Sequence, residues 1–308
     1  CEVHEGDCVL QFFSYSFDGS VPEFTMTLAP GATLLLAPAT TVLPGPDLQA
    51  LLLRNKVSHL TMTPSALAAL PSDDYPSLRM VLVGGEAPSP ELIESWSQGR
   101  VFINAYGPTE ATVNASMVRC GNGQPIEPTI KPSANKQLYV LDEQLELTPI
   151  GVIGELHIGG VGLTRGYHRQ AGLTAQRFIP NPFPPAPERN YNVPLLYKTG
   201  DLACYLPDGR IRIVGRTDQQ TKIRGFRIEL SEIERVLEGH PYIQIGLVRI
   251  RETPSGGKQL VAYGVPCETQ QETTPPESTA KIRDYLAEKL PKFMLPSVFI
   301  WLDELPLT

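Results

Sequence analysis

The stretch Asn104-Ala105-Tyr106-Gly107-Pro108-Thr109-Glu110 sets the architecture of this chain. It ends the apolar run Val101–Asn104, which predicts a strand, and Gly107-Pro108 forces a turn directly afterwards. An aromatic, a hydroxyl and a carboxylate are thereby presented at a strand's C-terminal end, the place where open α/β sheets bind ligands. On either side, apolar runs alternate with helical patterns from about Val9 to Val118. Strands are predicted at Thr33–Leu36, His59–Met62, Met80–Val83 and Val101–Asn104, and helices near Asp47–Asn55, Ser65–Leu70 and Pro90–Gln98. Such alternation predicts βαβ units and a largely parallel sheet.

The texture changes downstream. Between Gln137 and Gly215 the runs are short and rich in turns: Gln137–Leu141, Gly154–Ile158, Leu196–Thr199, and Arg210–Val214 after Pro207-Asp208-Gly209. That pattern predicts an antiparallel β region, with the Pro-rich stretch Ile179–Pro187 as a loop. A smaller α+β unit is expected over 218–308, after a large unit over 1–217. Ser231-Glu232-Ile233-Glu234 reads as a capping box opening a helix that ends by Pro241. Strands Ile243–Arg251 and Lys258–Val265 flank a hairpin turn at Pro254–Gly257. Cys267–Thr279 reads as a mobile loop, followed by helix Ala280–Leu290 and strand Val298–Leu302.

Composition narrows the function. At 42% hydrophobic and 19% charged, the 308 residues have the balance of a soluble globular protein. A net charge of −7 argues against nucleic acid and against anionic membranes as partners. No apolar run reaches the roughly 18 residues that span a bilayer. The five cysteines are scattered, without metal-ligand or redox spacing, so reduced thiols in the cytoplasm are expected. The start Cys1-Glu2-Val3-His4-Glu5 lacks a Met and any signal-peptide character, which suggests a fragment.

Four segments carry candidate chemistry, and each has a plain structural alternative. In Asn104–Glu110 a ring could stack on a base and a carboxylate could hold Mg²⁺, or a Tyr could pack beside a capped helix start. In Tyr197–Leu202, Asp201 after Gly200 could bind two ribose hydroxyls or simply form an Asx turn. Gly215–Leu230 interleaves basic residues with glycines, as a ligand loop or as a solvated hairpin. Gly154–Gly160 and Gly162–Tyr167 read as tight turns with close backbone packing.

The order of these segments is more specific than any one of them. Phe17-Asp18-Gly19-Ser20, Asn104–Glu110, Gly154–Gly160, Tyr197–Leu202, Gly215–Glu234 and Leu290–Pro296 follow one another as in the adenylate-forming superfamily. Within it the chain resembles amino-acid adenylation domains of nonribosomal peptide synthetases, across essentially its whole length. The resemblance implies an α/β fold: a partial large core of parallel-type sheet with helices plus an antiparallel β region, then a small α+β subdomain. It implies ATP-dependent activation of an amino acid as aminoacyl-AMP, followed by transfer to a phosphopantetheine thiol. Mg²⁺ is the implied metal. A peptidyl carrier domain and a neighbouring condensation domain are the implied partners.

Carried over by motif, Tyr106 stacks on adenine, Thr109 touches the α-phosphate and Glu110 holds Mg²⁺. Thr109, Glu110 and Lys222 form the implied catalytic set. Asp201 binds the ribose with Arg216 beside it, and Gly85, Asn104 and Gly107 complete the nucleotide site. Asp218 is the hinge, and Lys222 and Gly225 lie in the loop of the thioester step. Asp18 pairs with the α-ammonium of the substrate, since a buried cation without a partner is costly; the alternative is that Asp18 caps a helix starting near Ser20. Gly19, Pro22, Thr61, Leu82, Gly84, Ala105, Val113 and Asn114 line the side-chain pocket. That set is small and mostly apolar, so a bulky side chain is expected, an aromatic one fitting best, with Asn114 able to bond a phenol or indole.

The chain departs from the family pattern at Thr221, where Val is usual, and is one residue short near Ile130-Lys131-Pro132. The family's phosphate loop precedes the Phe-Asp motif, and its catalytic lysine follows a Pro-Leu-Thr run. Neither lies within these residues, which end at Pro306-Leu307-Thr308, so the expectation is that they do not adenylate by themselves. An acyl- or aryl-CoA ligase of the same superfamily is the alternative enzyme, and an inactive remnant the alternative outside catalysis.

Overall fold

Strands arise where apolar side chains can be covered on both faces. The computed structural model describes residues 2–72, 75–183, 195–218, 221–223, 226–252, 258–267 and 275–304. Strands β1 (Cys8–Leu10), β2 (Thr33–Leu35), β3 (His59–Met62), β4 (Met80–Gly84) and β5 (Val101–Tyr106) pair in parallel in the order β2-β1-β3-β4-β5. β6 (Ser116–Cys120) closes the far edge antiparallel to β5.

Helices cover this sheet from both sides. α2 (Pro46–Arg54), α3 (Pro64–Ala68) and α4 (Pro90–Trp96) bury Leu48, Leu52, Ile93 and Trp96 against Leu60, Val81, Val83 and Phe102. Each begins with Pro, whose missing N–H costs nothing in a first helical turn. Thr63 Oγ1 accepts from Ala66 N, and Ser89 Oγ from Leu92 N, both at 3.2 Å, so α3 and α4 start at capped positions. The opposite face carries Met80, Leu82, Ile103 and Ala105, on which Met26 of α1 (Ser20–Leu28) packs. Alternation along each strand produces this division.

The second sheet is antiparallel. β7 (Lys136–Leu141), β8 (Gly154–Gly160), β10 (Leu195–Tyr205) and β11 (Ile211–Arg216) are ordered β11-β10-β8-β7. Helix α5 (Ala171–Arg177) and β9 (Phe178–Pro180), paired to β10, lie in the intervening chain. The pairing of β10 with β8 slips between Lys198 and Leu202, where Gly200 takes a φ of +75°. A bulge of this kind re-aims the adjoining side chain, here Asp201.

The chain divides into compact units Cys1–Asp218 and Gln219–Thr308. In the second, β12 (Thr221–Ile223) pairs with β13 (Phe226–Ile228), and β14 (Ile243–Glu252), β15 (Lys258–Pro266) and β16 (Val298–Trp301) form a sheet. Helices α6 (Leu230–Glu238) and α7 (Pro275–Lys289) bury Ile233, Leu237, Ile282 and Leu286 against Val248 and Leu260.

Two sequence expectations are corrected there. Ser231 does not cap α6, which begins at Leu230 with no side-chain cap; Glu234 instead accepts from Val248 N at 2.9 Å and pairs with Arg249 at 3.0 Å. A tertiary partner displaces the local one. Pro275–Thr279 belongs to α7 rather than to a loop, as Pro suits a helix start. The expected turn at Pro254–Gly257 and most of the expected Cys267–Thr279 loop fall outside the described residues, as do positions 184–187 of the Pro-rich stretch. Among the described residues no helix is long and apolar enough to cross a membrane.

α1 contains one anomaly. Glu23 is 0% exposed and faces no ion-pair partner among the described residues. Its carboxyl is pushed from 4.5 up to about 8 by burial, against the opposing N–H groups of Phe12 and Phe13. The folded unit therefore keeps a proton that the unfolded chain releases. That stabilisation is complete below pH 4.5 and is lost as pH rises to about 8. Buried His59 and His157, lowered below 6.5 by burial, add the opposite slope under that pH. The difference between native protein and Glu23→Gln isolates the carboxyl. Denaturation followed through Trp96 should show the native advantage over Glu23→Gln shrinking from about pH 5 to about pH 8.5. A constant difference contradicts this.

Candidate functional site

The C-terminal ends of the parallel strands gather most of the expected site residues. β5 runs through Asn104 and Ala105 to Tyr106, and Gly107-Pro108 then turns the chain into a 3-10 turn, Thr109–Ala111. Gly107 is required by packing: a Cβ there would lie 2.2 Å from Val113 O and 2.7 Å from Ala115 N. The loop it supports is strained, with φ of +56° at Thr112 and +63° at Val113, both β-branched. Ala115 N to Tyr106 O at 2.8 Å and Thr112 Oγ1 to Gly162 O at 2.7 Å hold it in place. Strain of this sort persists only where surroundings over-determine it. Asn114 follows, half-buried.

Register aligns Thr61 with Leu82 and Gly84 with Ala105, so these four share the sheet face covered by α1. Thr61 Oγ1 is buried and has no hydrogen-bond partner among the described residues. Asp18 lies in the segment entering α1, half-buried. Gly19 is the N-cap residue and makes no side-chain cap, so the capping alternative for Asp18 falls away. No hydrogen bond or ion pair engages the Asp18 side chain among the described residues. Pro22 sits in the first turn of α1, and Gly85 directly follows β4.

A second cluster joins the two sheets. The Tyr106 hydroxyl donates to Asp201 Oδ2, while Arg216 Nη1 donates to Asp201 Oδ1 at 2.6 Å. Arg216 continues to Asp218, Nε to Oδ1 at 2.7 Å and Nη2 to Oδ2 at 2.9 Å. Burial of its hydroxyl end, then the Asp201 charge, hold the Tyr106 phenol well above its ordinary range. Burial disfavours the Arg216 cation, but hydrogen bonds and charge from Asp218 and Asp201 outweigh this and raise its pKa.

Glu110 is buried and accepts from the Tyr167 hydroxyl at 2.6 Å, and Thr109 beside it is exposed. No group of three or more His, Cys, Asp or Glu able to hold a metal occurs among the described residues. A Mg²⁺ ion at Glu110 would thus rest on one carboxylate, its other ligands being phosphate oxygens and water, which is how Mg²⁺ is commonly held. The donor set fits. Asn104 is turned away into the core, its amide 3.4 Å from Thr129 O. Lys222 lies on β12 in the second unit, and Gly225 is outside the described residues.

Sequence reasoning passed over four side chains of this region. Tyr167 on Glu110 was visible only as part of a glycine-rich turn. Arg177 Nη2 reaches Asp218 at 3.5 Å, and Lys136 Nζ, its pKa lowered by burial, donates to Ala111 O beneath Glu110. Glu23 is the fourth; a Glu on a short helix reads as solvated.

The family follows from comparison. The model for AMP-binding enzymes matches residues 1–168, and that for the AMP-binding enzyme C-terminal domain matches residues 232–308. The chain belongs to the AMP-binding enzymes. A linear gramicidin synthase of Brevibacillus parabrevis is 47% identical over 300 residues, which are 97% of this chain but 4% of that synthase polypeptide. Among solved structures, an artificially fused adenylation–PCP di-domain, NpsA-ThdA from Klebsiella oxytoca, is 30% identical with a TM-score of 0.78, over 96% of this chain and 54% of that one. The Vibrio cholerae adenylation domain AlmE, in complex with glycyl-adenosine-5'-phosphate, is 25% identical with a TM-score of 0.83, over 99% and 57%. The mixed parallel and antiparallel sheets are those of adenylation domains, and this AMP-binding chain spans only part of each relative.

The tightest steric constraint of the site is testable. Gly107→Ala should cost about 1–3 kcal/mol, because the Val113–Ala115 backbone must move. Gly172→Ala, where a Cβ meets nothing within 4 Å, is the control and should be neutral or stabilising. Equal urea midpoints for the two variants would contradict the packing role of Gly107.

Proposed function

We propose that this chain serves an adenylate-forming ligase. It activates an amino acid with ATP and passes the aminoacyl group to the phosphopantetheine thiol of a carrier protein. The observation that carries the reading is Asp18, a half-buried carboxylate without a partner among the described residues, at the end of the sheet where Tyr106 and Glu110 also lie. An α-ammonium entering a water-poor site needs such a counter-charge, which fatty or aryl acids do not. Similarity to a gramicidin synthase, and to an adenylation domain carrying glycyl-adenosine-5'-phosphate, supports the same reading.

In the first half-reaction a carboxylate oxygen of the amino acid attacks the α-phosphorus, and the bond to the bridging oxygen of pyrophosphate breaks. Tyr106 lies against adenine and Asp201 takes the ribose hydroxyls with Arg216 alongside. One hydrogen bond joins Tyr106 to Asp201, which suits a base and its ribose met side by side. Gly85 and Gly107 frame this site and Thr109 contacts the α-phosphate, while Asn104, its amide turned to Thr129 O, backs the strand end from the core side. Glu110 would hold Mg²⁺, which would supply charge neutralisation at the phosphates. In the second half-reaction the thiol sulfur attacks the acyl carbonyl, the bond to AMP breaks, and the thiol proton leaves to solvent. Asp218 is the hinge between the two steps, and Lys222 and Gly225 serve the thioester step.

The substrate side chain runs along the face formed by Thr61, Leu82, Gly84 and Ala105, with Gly19 and Pro22 opposite and Val113 and Asn114 at the edge. Small residues leave room for a bulky aromatic group. The unpaired Thr61 hydroxyl and the Asn114 amide favour one with a polar tip. In the full-length protein, Asp18→Ala should abolish amino-acid-dependent pyrophosphate exchange, since breaking a buried pair costs about 3–5 kcal/mol. Retained exchange with amino acids would sink the reading.

A further inference from the structure

Glu23 has no part in the chemistry just described, yet it is the most deeply buried acid of the first sheet's α1 face. One helical turn separates it from Gly19, and its carboxyl reaches back under the segment that leaves β1. Phe12 N donates to Glu23 Oε1 at 3.1 Å, and Phe13 N lies 3.3 Å from both carboxyl oxygens. These two amides follow a strand end, where they have no ladder partner, so the side chain substitutes for a missing strand.

What that clamp holds is the backing of Asp18. The Phe13 ring stacks on Phe17 with centroids 5.2 Å apart, and Phe12 meets Phe13 edge-on at 5.2 Å. A Cβ at Gly19 would lie 2.9 Å from the Phe13 ring and 3.1 Å from that of Phe17. Asp18 is therefore bracketed by two residues in contact with Phe13. Its backbone is fixed as well, with Ser20 N to Phe17 O at 3.1 Å and Val21 N to Asp18 O at 3.0 Å. The backbone that carries Asp18 is thus packed against Phe13 on both sides, and the Phe12–Phe13 backbone is held by Glu23.

We infer that Glu23 is a positioning residue for amino-group recognition: by clamping the Phe12–Phe13 backbone it fixes where Asp18 presents its carboxylate. This rests on the proposed role of Asp18. Gly19 and Pro22 ride on the same turn, so the clamp also sets the mouth of the side-chain pocket, while no hydrogen bond or ion pair among the described residues joins it to the Tyr106–Asp201–Arg216 cluster. The carboxyl is a strong choice for the task because it serves two amides at once, and burial keeps water from competing for them.

The test is pyrophosphate exchange by the full-length protein, with amino acid and ATP varied separately, for Asp18→Ala, Glu23→Ala, Glu23→Gln and Glu23→Met. Removing the acceptor in Glu23→Ala should raise KM for the amino acid about ten- to a hundredfold, the scale of a small misplacement of a binding group, and leave KM for ATP unchanged. Glu23→Gln keeps a carbonyl acceptor and should recover most of the loss. Glu23→Met keeps the volume without the acceptor and should not recover it, which gives the same comparison if the Ala variant does not fold. Equal changes in both KM values, or equal behaviour of Gln and Met, would reduce Glu23 to a structural residue and overturn the inference. Amino-acid-dependent exchange surviving Asp18→Ala would overturn the reading beneath it. Loss in Asp18→Ala with all Glu23 variants unaffected would overturn this inference alone.

Discussion

One carboxylate holds the candidate site together. Asp201 takes the Tyr106 hydroxyl on one oxygen and the Arg216 guanidinium on the other, and so ties the last parallel strand to the antiparallel sheet. Neither sheet could supply the arrangement by itself. Tyr106 ends β5 because Gly107 turns the chain there, and Asp201 faces it because β10 bulges at Gly200. A Cβ at Gly200 would stand 2.9 Å from Arg216 and 3.0 Å from Asp218, so another residue there would be strained by its φ and would push the two side chains of the cluster. The charges are partly shielded from water, where hydrogen bonds to ions are at their strongest.

The same cluster leads to the end of the first unit. Arg216 bridges Asp201 to Asp218, and Arg177 reaches the same Oδ2 of Asp218 at 3.5 Å. The residue proposed as the hinge is thus bonded, through one guanidinium, to the residue proposed to bind ribose. Around Thr112 and Val113 the site instead relies on backbone held in an unfavourable region, and around Asp18 on a buried acid that prefers to be neutral. Each feature costs stability locally and is offset by the well-packed sheet beneath.

Much of this was legible in the residues alone. The strands β3, β4 and β5 and the helices between them stand out because their apolar runs are bounded by Thr63-Pro64, Ser89-Pro90 and Gly107-Pro108, signals that act locally. β1 lies outside the predicted strands, β9 takes up Ile179 and Pro180 of the stretch expected as a loop because it pairs with β10, and the antiparallel β6 exists only through its pairing with β5. Ser231 misled because a capping box is a local motif, while Glu234 is claimed by Val248 and Arg249 from a distant strand. Site residues fall out the same way. Asp201 and Arg216 were marked by motif, but the bulge that turns them together was not. Glu23, Tyr167 and Arg177 matter through contacts across 10 or more residues of sequence, which no periodicity encodes.

If Tyr106 and Asp201 act as one nucleotide-binding unit, their substitutions must interact. The measurement is a double-mutant cycle on ATP affinity, by calorimetric titration of the full-length protein with Tyr106→Phe, Asp201→Asn and the pair. Losing either partner should weaken ATP, and the double variant should lose less than the sum, with a coupling of about 0.5–3 kcal/mol. Strict additivity, or ATP affinity unchanged in both single variants, would contradict it.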